Sequence, residues 1–175
     1  MTEVEEIIER ARKGEDIGTT GVAELLSITD HADLERLFAA ARESRDRIFG
    51  NKIFTYGFVY FSTYCKNNCN FCYFRRSNKD IGRYRKSIEE IVQLAGSLKD
   101  AGINLADLTM GEDPEMYANG YRRLLDTISA VHDDVGISIM SSPGALPKEV
   151  FPMIRAAGAD WHACYQETYN LSLIH

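Results

Sequence analysis

Apolar residues in the first fifty positions of the chain recur at the spacing of a helix. Four of them would share one face of a first helix: Val4, Ile7, Ile8 and Ala11. Gly14 ends that run, and Asp30 is a suitable N-cap for a second, longer helix that Gly50 closes. The apolar face of this second helix consists of Leu34, Leu37, Phe38, Ala41 and Ile48. The pattern therefore predicts a helical segment over residues 1–50.

Beyond residue 50, short β-branched and aromatic runs alternate with amphipathic runs. The strand-like runs are residues 53–61, 103–110, 137–140 and 161–166. Ser87 and Glu90 form a capping box ahead of one of the intervening helices. Four alternations with short connections indicate right-handed βαβ units around a parallel sheet. The predicted fold is α/β, the N-terminal half of a (β/α)8 TIM-type barrel after a helical segment. A flavodoxin-like open sheet is the alternative, because periodicity does not separate the two.

These patterns divide the chain into two parts. Residues 1–50 form the helical segment, and residues 51–175 form a partial barrel. Residues 171–175, where the fourth helix is due, carry neither a cap nor an amphipathic turn. We therefore expect the barrel to be truncated after strand four, with two unpaired sheet edges.

Charge and composition narrow the classes of partner. The 175 residues carry a formal net charge of -6, and 45% are apolar, so a nucleic acid partner, which needs clustered cations, is not expected. The one basic stretch, residues 75–86, is either a solvated loop or part of an anion site. No apolar run approaches the roughly 20 residues of a membrane span, and the acidic N-terminus is unlike a targeting peptide. We expect a cytoplasmic protein with no membrane partner.

Three of the four cysteines, Cys65, Cys69 and Cys72, lie within eight residues. In a reducing compartment such spacing favours metal binding or catalysis over disulfides. Three thiolates can bind three irons of a four-iron cluster and leave the fourth iron open, whereas a closed cluster needs a fourth cysteine. The remaining one, Cys164, is predicted to be a small buried residue of strand four. Zinc is the alternative, and it would need His162 or Cys164 to complete its tetrahedral set.

Polar residues follow the other predicted strands as well. Glu112 follows the second strand, Ser142 follows the third and Glu167 follows the fourth. Each alone would be an ordinary loop residue. Because ligands of parallel α/β folds bind beyond the carboxyl ends of the strands, these residues and the cysteines predict one site on that rim.

Strand alternation singles out Asp107. Ala106, Leu108 and Met110 form one apolar face of the second strand, so Asp107 and Thr109 point into the barrel lumen. A buried carboxylate costs several kcal/mol unless it is paired. Asp107 is thus either a structural residue bonded to a neighbouring strand or the partner of a substrate ammonium group.

The C-x3-C-x2-C spacing, with aromatic Phe71 before the last cysteine, resembles the radical S-adenosylmethionine (radical SAM) superfamily. The resemblance implies that the three cysteines hold a [4Fe-4S] cluster whose open iron binds S-adenosyl-L-methionine. An electron from a reducing donor then cleaves this cofactor to a 5′-deoxyadenosyl radical, which abstracts a substrate hydrogen.

The same resemblance assigns roles to further residues. Phe71 and Tyr73 correspond to the aromatic contacts of the adenine. Glu112 corresponds to the last residue of the family's Gly-Gly-Glu motif, which contacts the methionine amine, although Met110 replaces its first glycine. Glu167 matches a ribose contact, and Ser142 a contact to the methionine end or the substrate.

A narrower resemblance extends over residues 51–169. The runs YFSTYCKNNCNFCY, RYR, DLTMGEDP and YQETY are similar to those of the methylornithine synthase family. This implies isomerisation of L-lysine to (3R)-3-methyl-D-ornithine in pyrrolysine biosynthesis, with Asp107 binding a substrate amino group. The alternatives are another radical enzyme, biotin-synthase-like or hydrogenase-maturation-like, and a non-catalytic iron–sulfur or zinc-binding module.

Overall fold

The computed structural model describes residues 2–173, and the chain divides into two units, Met1–Ile53 and Phe54–His175. Ile174 and His175, on which part of the expectation about the end of the barrel depends, lie outside the described residues. Within the described part, no helix combines the length and apolar character that crossing a bilayer requires.

The first unit contains three helices, α1 (Glu3–Arg12), α2 (Gly18–Leu26) and α3 (His31–Phe49). Thr2 and Glu5 form a capping box that starts α1, and the Asp30 carboxylate caps α3 as predicted. The sequence pattern does not predict α2, which begins without a side-chain cap. Phe38 and Ile48 are exposed, so the apolar face predicted for α3 is only partly covered.

The second unit is built on a four-stranded parallel sheet. Its strands are β1 (Tyr56–Ser62), β2 (Leu105–Met110), β3 (Ser138–Ser142) and β4 (Trp161–His162), and they pair in the order β1-β2-β3-β4. The helices between them are α4 (Ile88–Asp100), α5 (Pro114–Val135) and α6 (Phe151–Ala156). A flavodoxin-like sheet would reverse the order near its first strand. The sequential order confirms the half-barrel interpretation.

The core lies between one face of this sheet and the helices. Fully buried side chains from the strands include Phe61, Leu108 and Ile139, and those from the helices include Ile91 and Ile128. The apolar alternation of β2 therefore packs against the helix layer, as predicted. The opposite face of β2 carries Asp107 and Thr109 toward the site.

Two elements differ from their predictions. The helix expected from about Tyr121 starts instead at Pro114, because Asp113 caps it and proline suits its first turn; residues 118–121 then interrupt the helical geometry. Strand β4 has two residues rather than six. Cys164 consequently lies beyond the strand and is exposed, which corrects the prediction that it is buried.

The packing of β2 predicts unequal effects of two leucine truncations. Leu108→Ala should lower the free energy of unfolding by about 2–5 kcal/mol, because it leaves a cavity in the core. Leu94→Ala, on an exposed part of α4, should change it by about 0.5 kcal/mol or less. Urea denaturation followed by circular dichroism measures both values. Equal effects would contradict this assignment of the core.

Candidate functional site

A cavity of about 440 Å³ lies at the carboxyl ends of the strands. Four of the predicted site residues line it, from the cysteine loop and from the ends of the last three strands: Cys69, Glu112, Ser142 and Glu167. Tyr165 and Cys164 also line it. The sheet thus brings together residues that are nearly 100 positions apart in sequence. Phe71 and Tyr73 are exposed on the cysteine loop and do not line this cavity.

The cysteine loop, residues 64–78, packs onto the segment that follows β2. Its Lys66 N–H donates to the Glu112 carbonyl oxygen at 2.9 Å. A Cβ at Gly111 would overlap the Tyr64 carbonyl oxygen and lie 2.9 Å from the Cys65 Cβ. Only glycine therefore allows the loop to approach so closely.

The loop carries three cysteine side chains, each of intermediate exposure: Cys65, Cys69 and Cys72. Within residues 2–173, no three histidine, cysteine or acidic side chains are arranged to share a single metal ion. A four-iron cluster makes a different demand, because each thiolate binds its own iron and the ligands are spaced more widely. Three accessible sulfur donors on one loop, beside an open cavity, fit a cluster of this kind.

Glu112 lies between the cysteine loop and the loop after β3. Its carboxylate forms a salt bridge with Lys66 at 2.9 Å and accepts a hydrogen bond from the Ala145 N–H at 3.3 Å. A Cβ at Gly144 would overlap the Glu112 side chain. The carboxylate is therefore held at the wall of the cavity, with its charge already partnered by an ammonium group.

Asp107 is completely buried and accepts three hydrogen bonds from hydroxyl groups. Thr109 Oγ1 lies 2.8 Å and Ser142 Oγ 2.6 Å from its Oδ1, and the Tyr165 hydroxyl lies 2.8 Å from its Oδ2. In the described part of the chain no salt bridge joins this carboxylate to a cation. Asp107 therefore points to the side of β2 that the strand alternation predicts. The hydrogen bond from Ser142 on β3 is the contact with a neighbouring strand that we expect if Asp107 is a structural residue.

Two tyrosines of the site were not singled out by the sequence. Burial, followed by the hydrogen bond to Asp107, raises the pKa of the Tyr165 phenol, so it stays a proton donor at neutral pH. Burial, followed by the negative charge of Cys72 and Cys65, raises the pKa of Tyr60 to about 12. Tyr165 lies in the YQETY run, but its contact with β2 depends on the packing of separate strands.

A second buried carboxylate, Asp113, joins three segments at the same end of the sheet. It accepts hydrogen bonds from Ser62 Oγ at 2.6 Å, from Arg85 Nε at 2.6 Å and from the Glu115 N–H at 3.1 Å. Arg85 also lies over the Tyr64 ring, 3.8 Å from its centroid. Burial raises the pKa of Asp113, but the bonds from Arg85 and Ser62 outweigh it and hold that pKa below its ordinary value.

The site and fold together define a class of protein: a (β/α) barrel with a three-cysteine loop after its first strand. Residues 59–173 match the family described as Radical SAM superfamily. The chain belongs to this superfamily.

The chain is also similar to individual members. It is 40% identical over 173 residues to 3-methylornithine synthase of Methanosarcina barkeri (strain Fusaro / DSM 804). The aligned residues cover 99% of this chain and 49% of that protein. It is 34% identical over 150 residues to the [FeFe] hydrogenase maturase subunit HydE of Thermotoga maritima, covering 84% and 41%.

Among solved structures, it resembles the crystal structure of methylornithine synthase (PylB) with a TM-score of 0.80, at 41% identity over 95% of this chain and 49% of that one. The hydrogenase maturase HydG has a TM-score of 0.84 at 29% identity, over 95% of this chain and 37% of that one. The chain spans about half the length of the curated relatives it matches.

The Asp113 network predicts a pH-dependent contribution to stability. Because the folded-state pKa lies below the ordinary value of 3.8, the stabilisation is complete above that pH and is lost as the pH falls through the folded-state pKa. At pH 7, Asp113→Asn should lower the free energy of unfolding by about 3 kcal/mol, since it removes the buried charge partner of Arg85 and leaves only the half-exposed Glu115. The deficit should shrink below pH 3.8 in urea denaturation curves. The exposed Asp133→Asn is the control, and a deficit that does not depend on pH would contradict the role of this charge.

Proposed function

We propose that this chain is the cofactor-binding part of a radical SAM enzyme that isomerises L-lysine to (3R)-3-methyl-D-ornithine in pyrrolysine biosynthesis. The observation that carries the proposal is that Asp107, a buried carboxylate, is bonded to three hydroxyl groups whose residues all line the cavity beside the cysteine loop. The 40% identity to 3-methylornithine synthase over nearly the whole chain supports the choice of reaction.

In this proposal Cys65, Cys69 and Cys72 hold a [4Fe-4S] cluster. The cluster and S-adenosyl-L-methionine would supply the hydrogen-abstracting radical when bound. Glu112, on the cavity wall, is the acceptor for the methionine ammonium group and would have to release or share Lys66. Glu167 remains our candidate for the ribose on the basis of its place in the same cavity.

Phe71 and Tyr73 are proposed as adenine contacts from the family resemblance alone, since neither lines the cavity. Ser142 has a second duty in this scheme, because its hydroxyl donates to Asp107 and so orients that carboxylate. It is therefore proposed both as a ligand contact and as a positioning group.

The role of Asp107 follows from its charge balance. Three neutral hydroxyls satisfy its oxygens as hydrogen-bond acceptors, but none of them compensates a negative charge. A buried carboxylate is costly without a cation nearby. A lysine substrate carries two ammonium groups, and one of them above Asp107 would neutralise this charge while the hydroxyls hold the carboxylate in place.

The proposal also includes the surroundings of the enzyme. A reducing electron donor must serve the cluster, and a cytoplasmic location would keep the thiols reduced. We keep the division into a helical segment, residues 1–50, and a partial barrel, residues 51–175, with the remaining barrel strands of the full enzyme supplying further ligands.

Electron paramagnetic resonance of the anaerobically reconstituted, dithionite-reduced chain tests the cofactor assignment. We expect about four irons per chain and a [4Fe-4S]+ signal whose shape changes when S-adenosyl-L-methionine is added. Cys65→Ala, Cys69→Ala and Cys72→Ala should each abolish or strongly reduce the signal. Cys164→Ala, the matched control, should retain it.

Other results of this experiment point to the alternatives. Stoichiometric zinc in place of iron would overturn the radical assignment. A cluster signal that is indifferent to S-adenosyl-L-methionine would favour a non-catalytic iron–sulfur module. The third possible result is a cluster signal that changes with S-adenosyl-L-methionine in a chain that does not bind lysine but binds a substrate of biotin synthase or of a hydrogenase maturase. That result would favour a biotin-synthase-like or maturase-like enzyme.

The substrate assignment is tested by calorimetric titration of L-lysine into the chain loaded with cluster and S-adenosyl-L-methionine. Asp107→Asn should weaken lysine binding at least about tenfold, because it removes the charge that pairs with an ammonium group. Ser142→Ala should weaken it less, since it removes one neutral donor to Asp107. Lysine affinity that is unchanged in Asp107→Asn would refute this assignment.

A further inference from the structure

Arg83 joins the two ends of the cysteine loop. Its guanidinium group donates hydrogen bonds to four main-chain carbonyl oxygens: those of Thr63, Phe74 at 2.8 Å, Arg75 at 2.7 Å and Asn78 at 3.3 Å. Thr63 lies two residues before Cys65, and Phe74 lies two residues after Cys72. One planar group therefore closes the segment that carries all three thiols.

The segment that bears Arg83 is itself fixed against the end of β1. The Tyr84 N–H donates to Thr63 Oγ1 at 2.9 Å, and the Thr63 N–H donates to the Tyr84 carbonyl oxygen at 3.1 Å. Ser62 and Arg85 form an antiparallel bridge next to it. The main chain on either side of Arg83 is thus fixed to the end of β1, and this positions the guanidinium group next to the loop.

Arg83 and Arg85 differ in whether a carboxylate neutralises their charge. Arg85 forms salt bridges with Asp113 and Glu115, whereas in the described part of the chain no carboxylate pairs with Arg83. Arg83 shares with Cys65 a second cavity of about 300 Å³ on the cysteine loop. A cation that shares a cavity with the Cys65 thiol is favourable when that thiol is ionised, as it is when it binds metal.

We infer that Arg83 is a positioning residue that clamps the cysteine loop, ordering its three thiols before a metal group is bound and offsetting their negative charge afterwards. The inference rests on the proposed function only for the group that the thiols hold. Arginine suits this role because its five N–H donors form a rigid planar fork. Lysine would keep the charge but could not reach four carbonyl oxygens in one plane.

Hydrogen exchange in the metal-free chain tests the clamp independently of any cofactor. The reporters are the N–H groups of Cys72, bonded to the Cys69 carbonyl oxygen, and Arg76, bonded to that of Asn67. Arg83→Ala and Arg83→Lys should both speed their exchange at least about tenfold, the effect expected when hydrogen bonds to a charged group are lost. Millimolar methylguanidinium should restore protection in Arg83→Ala, and Arg122→Ala, at an exposed arginine of α5, is the control.

The reduction potential of the cluster separates the effect of the Arg83 charge from the effect of its hydrogen bonds. In reconstituted protein, Arg83→Ala should shift the reduction potential of the cluster to a more negative value, because a nearby positive charge favours the reduced cluster. Arg83→Lys should keep most of the potential although it does not restore exchange protection. Failure to form a cluster in the unsubstituted chain would refute the proposed function. The hydrogen-exchange test of the clamp would still be valid, because it uses the metal-free chain.

Wild-type exchange of the loop N–H groups in Arg83→Ala would overturn the inference. If Arg83→Ala also exposes the N–H groups of β2 and β3, the variant has a general folding defect. Restoration by methylguanidinium would then still support the clamp, and lack of restoration would overturn it.

Discussion

The buried carboxylate of Asp113 is the constraint on which the arrangement of the site depends. It receives hydrogen bonds from the end of β1 through Ser62 and from the segment before α4 through Arg85, and it caps α5. Removing such a charge from water is costly, and only a nearly complete set of donors compensates for it. Because those donors come from three separate segments, the segments must meet in one geometry. The cysteine loop then has a fixed surface on which to pack.

The neighbouring buried carboxylate, Asp107, differs in one respect that matters for function. Asp113 has a guanidinium partner, whereas within residues 2–173 the Asp107 carboxylate is bonded to the hydroxyls of Thr109, Ser142 and Tyr165 and to no cationic side chain. The first arrangement is complete within the protein and stabilises the fold. The second satisfies the oxygens but leaves the charge for a cationic ligand, and its surroundings keep the carboxylate in position until one binds.

Much of the fold and part of the site could be predicted from the order of residues. The alternation of Ala106, Asp107 and Leu108 identified a two-faced strand, and Ser87 and Glu90 identified the start of α4. The periodicity does not predict the start of α5, because its helical geometry is interrupted after one turn. It also does not predict the length of β4. Strand propensity describes a run of residues, but β4 can pair only as far as its neighbour β3 extends, and β3 ends at Ser142.

The sequence by itself determined the elements with strong local causes: amphipathic helices, buried strands, caps and the spacing of the three cysteines. Only the tertiary structure decided which distant groups meet, such as Tyr165 with Asp107, Lys66 with Glu112, and Arg83 with the ends of the cysteine loop. The physical reason is that capping and periodicity act over a few residues. Charge compensation and hydrogen bonding in a buried site depend on distances that the packing of parallel strands sets.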